Sequence, residues 1–181
     1  MKEKTYFGKT FRETITEEEI TKRVEELAAQ INSDYAGKDV IFLGLLNGSF
    51  LFAAELFKRI TLDAKIAFVK MASYQGTKSS GKVKELIGWN EDIEGKDIVV
   101  VEDVVETGKT LERIKGELTL RKAASIKIAT LLFKPELYEF YDGKIPIDYM
   151  GFEIDNRFVV GYGLDYNGLG RNLPGIYSLI S

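Results

Sequence analysis

Residues 98–111 read IVVVEDVVETGKTL. Four β-branched residues, Ile98 to Val101, run straight into two acids, Glu102 and Asp103. Thr107, Gly108, Lys109 and Thr110 follow almost at once. A short continuous apolar run of this kind reads as a strand buried on both faces, the habit of parallel sheets. In such sheets ligands bind beyond the carboxyl ends of the strands. The expected strand is Asp97–Glu102, which puts both acids at that end. The loop Val104–Gly108 then leads into an expected helix, Lys109–Lys122.

The backbone amides of that loop and its threonine hydroxyls suit one phosphate at the positive terminus of a helix. The ATP-type loop, G-x-x-x-x-G-K-[ST], requires glycine where Asp103 stands. An acid there repels a polyphosphate, whereas paired carboxylates accept hydrogen bonds from vicinal hydroxyls. A phosphorylated ribose satisfies both halves. The bland alternative is a surface turn with solvated charges. Thr-Gly-Lys-Thr opening a helix directly after the acids favours the ligand.

Working outward, TEEE at 16–19 is a capping box, with Thr16 as N-cap and Glu19 three residues on. Ile20, Val24, Leu27, Ala28 and Ile31 then share one helical face. Val40–Leu46 is a continuous apolar run bounded by turn residues, read as a second buried strand, with a helix over Phe50–Ile60. Ala64–Val69, Ile126–Phe133, Tyr149–Ile154 and Phe158–Tyr162 read as further strands. Residues 73–84, SYQGTKSSGKVK, are hydroxyl-rich and basic with two glycines, the composition of a loop rather than a core. Strands alternating with helices predict an α/β domain with a mainly parallel sheet flanked by helices. No repeat, linker or boundary divides residues 1–181, so one domain is expected.

The chain has 181 residues, and its 45% apolar and 29% charged residues are ordinary for a globular domain, which excludes disorder as the default. Cysteine is absent, which removes disulfides and thiolate metal sites. Histidine is absent too, so imidazole catalysis and histidine ligation are excluded. A general base must come from a carboxylate, lysine or tyrosine, and a bound metal should be a hard, oxygen-loving ion such as Mg²⁺. The net charge of −3 argues against nucleic acid as a partner. The apolar runs are too short to span a bilayer. MKEKTYFGKTFRE at the start lacks the apolar core of a secretory signal. No membrane association and a cytoplasmic location are therefore expected.

IVVVEDVVETGKT, residues 98–110, closely resembles the phosphoribosyl-pyrophosphate motif of type I phosphoribosyltransferases. LLNGSF at 45–50, SYQGTKSSGKVK at 73–84, LLFK at 131–134 and GFEIDNRFVVGYGLDYN at 151–167 extend the resemblance over nearly the whole chain, in the family's order. The last is specific to the 6-oxopurine branch, and the chain more narrowly resembles a hypoxanthine-guanine phosphoribosyltransferase. The resemblance implies that branch's fold, with a small hood formed by the terminal segments. It also implies purine salvage: ribose 5-phosphate passes from 5-phosphoribosyl-1-pyrophosphate to hypoxanthine or guanine, with Mg²⁺ as cofactor. A homodimer or homotetramer is implied as well. Two other readings stay open, a nucleotide-binding regulator on this fold and an enzyme preferring xanthine.

Carried over residue by residue, Glu102 and Asp103 would hold the ribose hydroxyls and metal. Val105, Thr107, Gly108, Lys109 and Thr110 would hold the 5-phosphate. Lys134 would donate to O6 of the purine, Phe158 would stack on it, and Val159 would read its edge through backbone groups. Asp165 would help hold Mg²⁺-pyrophosphate or sit near the six-membered ring. Asn47, Gly48, Ser49 and Arg171 would contact pyrophosphate. Ser73 and Tyr74 match the lid signature. Two positions depart from the pattern. Glu106 stands where the family usually has an aspartate as the base near N7. Asn47 stands where many relatives have lysine. By the same resemblance the Asn47–Gly48 peptide is expected to be cis.

Overall fold

A computed structural model describes residues 2–71, 85–87, 92–140 and 144–181. The expected lid at 73–84, with Ser73 and Tyr74, lies outside the described residues. In chain order the elements are β1 (Glu3–Tyr6), β2 (Lys9–Ile15), α1 (Glu17–Asp34), β3 (Val40–Leu46), α2 (Phe50–Phe57), β4 (Lys65–Met71), β5 (Glu85–Ile87), β6 (Asp97–Val105), α3 (Lys109–Leu120), β7 (Ser125–Phe133), a 3₁₀ turn (Pro135–Leu137), β8 (Tyr149–Glu153), β9 (Val159–Val160) and β10 (Ile176–Leu179).

The larger sheet runs β5-β4-β3-β6-β7-β8. Its five strands from β4 to β8 in that order are parallel, and β5 closes the edge antiparallel to β4. The alternation along β6 sorts its side chains to two faces. Val99 and Val101 pack in a core shared with α1 and α2, through Ile20, Val24, Leu27 and Phe52. Ile98 and Val100 pack on the other side, against Leu111, Ile114 and Leu118 of α3. Helices therefore cover both faces, as the buried runs of β3 and β6 require.

The helix starts follow local chemistry. Thr16 and Glu19 complete both arms of the capping box at α1, and the buried face is Ile20, Val24, Leu27, Ala28 and Ile31. The smaller sheet, order β1-β2-β10-β9, is antiparallel throughout and is built from both ends of the chain, which is the expected hood. Its strands β1, β2 and β10 were not read from the sequence: β1 is largely exposed, and β10, although buried, is only four residues long. Among the described residues no helix is long and apolar enough to cross a membrane.

Several boundaries differ from the expectations. The strand β6 continues three residues past Glu102, because Val104 and Val105 still pair with Leu132 and Phe133 of β7. The helix α2 ends at Phe57 rather than Ile60, where amides of Arg59 and Ile60 switch to i−3 carbonyls in a tightened turn. The strand expected over Phe158–Tyr162 is only Val159–Val160, since Gly161 and Leu164 bond to each other in a tight turn.

Candidate active site

The two acids leave opposite faces of the buried strand, yet their carboxyls come together near its end. Glu102 continues the face toward α3 and is nearly buried, at 9% exposure. Asp103 continues the face toward the β3–α2 turn. A Cβ on Gly48 would overlap the Asp103 carboxylate, so that turn approaches the acid as closely as a glycine permits. Burial, and next the charge of Asp103, push the Glu102 carboxyl well above the usual carboxylate range.

The loop after β6 bends around Gly108, which caps α3 at φ +85°, a conformation that favours glycine. A Cβ there would also come within 2.7 Å of the Tyr138 ring and 2.8 Å of Phe140. Glu139 N donates to Thr107 O at 3.2 Å, and Lys134 N donates to Val105 O at 2.9 Å. Together these bonds pin the loop to the segment after β7. The loop encloses a pocket of about 130 Å³ lined by Glu102, Val105, Glu106, Thr107, Gly108 and Thr110 among others. This gathers five of the expected phosphate and ribose residues. Asp103 and Lys109 are the exceptions: Asp103 lines the two neighbouring cavities, and the Lys109 ammonium pairs with Glu139 at 2.9 Å.

A second pocket of about 280 Å³ lies on the hood side. It collects Lys134 from the end of β7, Glu106 from the loop, Phe158 and Val159 from the hood, and Asp165 and Arg171 from the turns that follow. Lys134 is 4% exposed, and its Nζ donates to Glu106 Oε1 at 2.6 Å. A buried ammonium needs such a partner. Two further N–H groups of Lys134 remain for an acceptor in the pocket. Phe158 is 45% exposed although Tyr166 packs edge-on to it at 5.7 Å, so a ring face remains for a flat ligand. Val159 is buried in the ladder with Ser178.

Glu106, on the loop after β6, thus joins that loop to Lys134 at the end of β7. Asp165 and Arg171 are likewise engaged with each other, at 2.5 Å. Asp165 Oδ2 accepts from Gly168 N at 2.7 Å, and Arg171 Nη1 donates to Gly163 O at 2.6 Å. Gly163, at φ +105°, lies so close that a Cβ on it would overlap the carbonyl of Gly48. That contact seats the Asp165 turn on the β3–α2 turn.

The third cavity, about 430 Å³ and the largest of these three, opens between the β3–α2 turn, the two acids and the start of α3. Asn47 and Gly48 line it as expected. Ser49 does not: it is fully buried, and its hydroxyl donates to Leu45 O at 2.6 Å, which holds the turn from within. The cis peptide is Leu46–Asn47, one bond earlier than the expected Asn47–Gly48. The reversal falls where β3 ends, and Asn47 O then accepts from Phe50 N to start α2. Arg113 also lines this cavity and was missed. It stands three residues after Thr110 and four after Lys109, so helical spacing alone places it on their face.

Among the described residues no three acids gather into a metal cage. Glu102 and Asp103 alone suit a Mg²⁺ that takes its other ligands from water and substrate phosphates. A divalent cation there would also offset the burial of Glu102. Asp165, the third expected ligand, would have to give up Arg171 or Gly168 first.

Comparison with known proteins agrees with this geometry. Residues 12–167 match the phosphoribosyl transferase domain family. The chain is 45% identical over 161 residues to the hypoxanthine-guanine phosphoribosyltransferase of Streptococcus pneumoniae, covering 88% of each. The crystal structure of a hypoxanthine phosphoribosyltransferase from Staphylococcus aureus superposes with a TM-score of 0.85 at 42% identity, over 93% of this chain and 91% of that one. A hypoxanthine-guanine phosphoribosyltransferase structure from Bacillus anthracis gives 0.84 at 38% identity, over 93% and 96%.

Proposed function

The chain belongs to the phosphoribosyltransferase family, in its hypoxanthine-guanine branch, and we propose that it transfers ribose 5-phosphate from 5-phosphoribosyl-1-pyrophosphate to N9 of hypoxanthine or guanine. One observation carries the reading: the buried Lys134 ammonium, held 2.6 Å from Glu106, shares a pocket with the half-exposed Phe158. That pocket adjoins the acid pair and the glycine-capped loop.

The residues divide the work by position. Thr107, Gly108 and Thr110 surround the 5-phosphate. Glu102 and Asp103 take the ribose hydroxyls, and their negative charge favours a ribose that becomes cationic as its bond to pyrophosphate breaks. Mg²⁺ held by the same two acids would neutralise the leaving pyrophosphate. Phe158 stacks on the purine, and the backbone of Val159 reads its edge. Lys134 donates to O6, which selects 6-oxopurines over adenine, whose amine is a poor acceptor. Glu106 accepts the proton from N7 as N9 forms the new bond. Chain-wide, residues 1–181 act as one domain. A homodimer or homotetramer is part of the proposal. It is supported by Phe50, a 38% exposed aromatic directly after the Asn47–Ser49 turn. Light scattering on the eluting species tests it.

The direct test is a Mg²⁺-dependent assay with phosphoribosyl pyrophosphate and hypoxanthine, guanine, xanthine or adenine in separate reactions. Nucleotide from hypoxanthine or guanine and none from adenine is the expected result. Tight nucleotide binding without turnover on any base would overturn it. Preferential turnover of xanthine would move the substrate while keeping the reaction.

A further inference from the structure

The cavity beside the β3–α2 turn is lined by an arginine to which none of the expected roles gives a task. We infer that Arg113 binds the diphosphate group of the phosphoribosyl donor, taking over the cationic role that the neutral Asn47 leaves open. This rests on the proposed transferase reading and deepens it.

Four charged groups face that cavity: Glu102, Asp103, Lys109 and Arg113. A diphosphate entering between two carboxylates is repelled unless cations on the walls compensate. Lys109 is already committed to Glu139 at 2.9 Å. Arg113, half-buried on α3, forms no hydrogen bond or ion pair among the described residues. A guanidinium half removed from water and left without a carboxylate is poised for an anion, and its planar fork suits two phosphate oxygens.

The other candidate cations are engaged elsewhere. Arg171 is held by Asp165 at 2.5 Å and by Gly163 O at 2.6 Å. Lys134 is held by Glu106 at 2.6 Å in the base pocket. The division of the cavities gives the ligand group. The 5-phosphate loop encloses its own pocket, which Arg113 does not line. The base pocket does not include Arg113 either. The diphosphate is the one anionic part of the donor left for the cavity that Asn47 and Arg113 both line.

The test compares two anions by calorimetry on the whole protein: Mg²⁺-pyrophosphate and IMP, which carries only the 5-phosphate. Arg113→Gln should weaken pyrophosphate about tenfold or more, the loss typical of a hydrogen bond to a charged group, while IMP stays within about twofold. The KM for phosphoribosyl pyrophosphate should rise in parallel, with that for hypoxanthine unchanged. Adding Asn47→Lys should return most of the lost pyrophosphate affinity by placing a charge on the wall of the same cavity. Should Arg113→Gln fail to fold, Arg113→Lys, which keeps the charge and loses the fork, should cost a few-fold in the same direction. Unchanged pyrophosphate affinity overturns the inference. Equal loss of IMP affinity also overturns it, by moving Arg113 to the 5-phosphate or to the fold. Turnover by the unaltered protein is read separately, so failure of the transferase reading is distinguishable from failure of this one.

Discussion

The two halves of the site are built in opposite ways. The phosphate half is local: Glu102 to Thr110 is one unbroken stretch, shaped by the end of a paired strand and the start of a helix. The base half is assembled from three distant segments, around Glu106, Lys134 and Phe158–Arg171. The first presents mainly backbone groups, whose direction the sheet dictates. The second presents side chains, and these are already paired with one another. Ligand binding in the first half fills a ready cradle. In the second it must share or displace the bonds of Lys134 and Asp165.

The comparison can be tested one half at a time. The largest effect should come from Glu106→Gln, which removes the proposed proton acceptor. The hypoxanthine kcat should fall by about 10²- to 10⁴-fold, with little change in the Kd for phosphoribosyl pyrophosphate by calorimetry. An equal loss in donor affinity would show that the halves are not separable. Lys134→Met keeps the buried volume and removes the donor. About 10²- to 10³-fold in kcat/KM for hypoxanthine should be lost, the scale of one preorganised donor, while any turnover of adenine, expected to be poor, should fall far less.

On the phosphate side, Gly108→Ala should cost about 1–3 kcal/mol in chemical denaturation, because alanine resists the left-handed backbone there. Its Cβ would also press on Tyr138, at 2.7 Å. Donor KM should rise and base KM should not.

The smallest effect is a control at the opposite edge of the same sheet, where Tyr149 donates to Asp34 at 2.7 Å. That bond, then Lys127, hold the Asp34 carboxyl below its ordinary value. The folded protein therefore binds fewer protons than the unfolded chain. The contribution is fully present above the unfolded carboxylate pKa and is lost as pH falls through the folded one. Tyr149→Phe should lower stability by about 1 kcal/mol at neutral pH and flatten the acid limb of a stability-versus-pH curve. A change in kcat for this variant would mean that the distal edge of β7 and β8 reaches the site.

What could be read in advance follows the same division. The run Ile98–Asp103 and the Thr107–Thr110 turn were legible because strand pairing, glycine capping and helix-end polarity act within a few residues of each other. The α1 face was legible for the same reason, with capping box and periodicity agreeing. The extension of β6 to Val105 was not, since it depends on Leu132 and Phe133 of a neighbouring strand. Lys134 and Phe158 were reached only through a family resemblance, as nothing in LLFK or NRFVV states that they share a pocket.

By itself, then, the sequence determined the alternating architecture, the glycine-capped loop after the acid pair and the exclusion of histidine and cysteine chemistry, all of which depend on residue type and short-range spacing. Only the tertiary structure decided that Glu106 reaches Lys134, that Asp165 is held by Arg171, that Ser49 turns inward, and that Arg113 lines one cavity with Asn47. Each of those depends on where separate chain segments meet, and packing rather than local preference sets that distance.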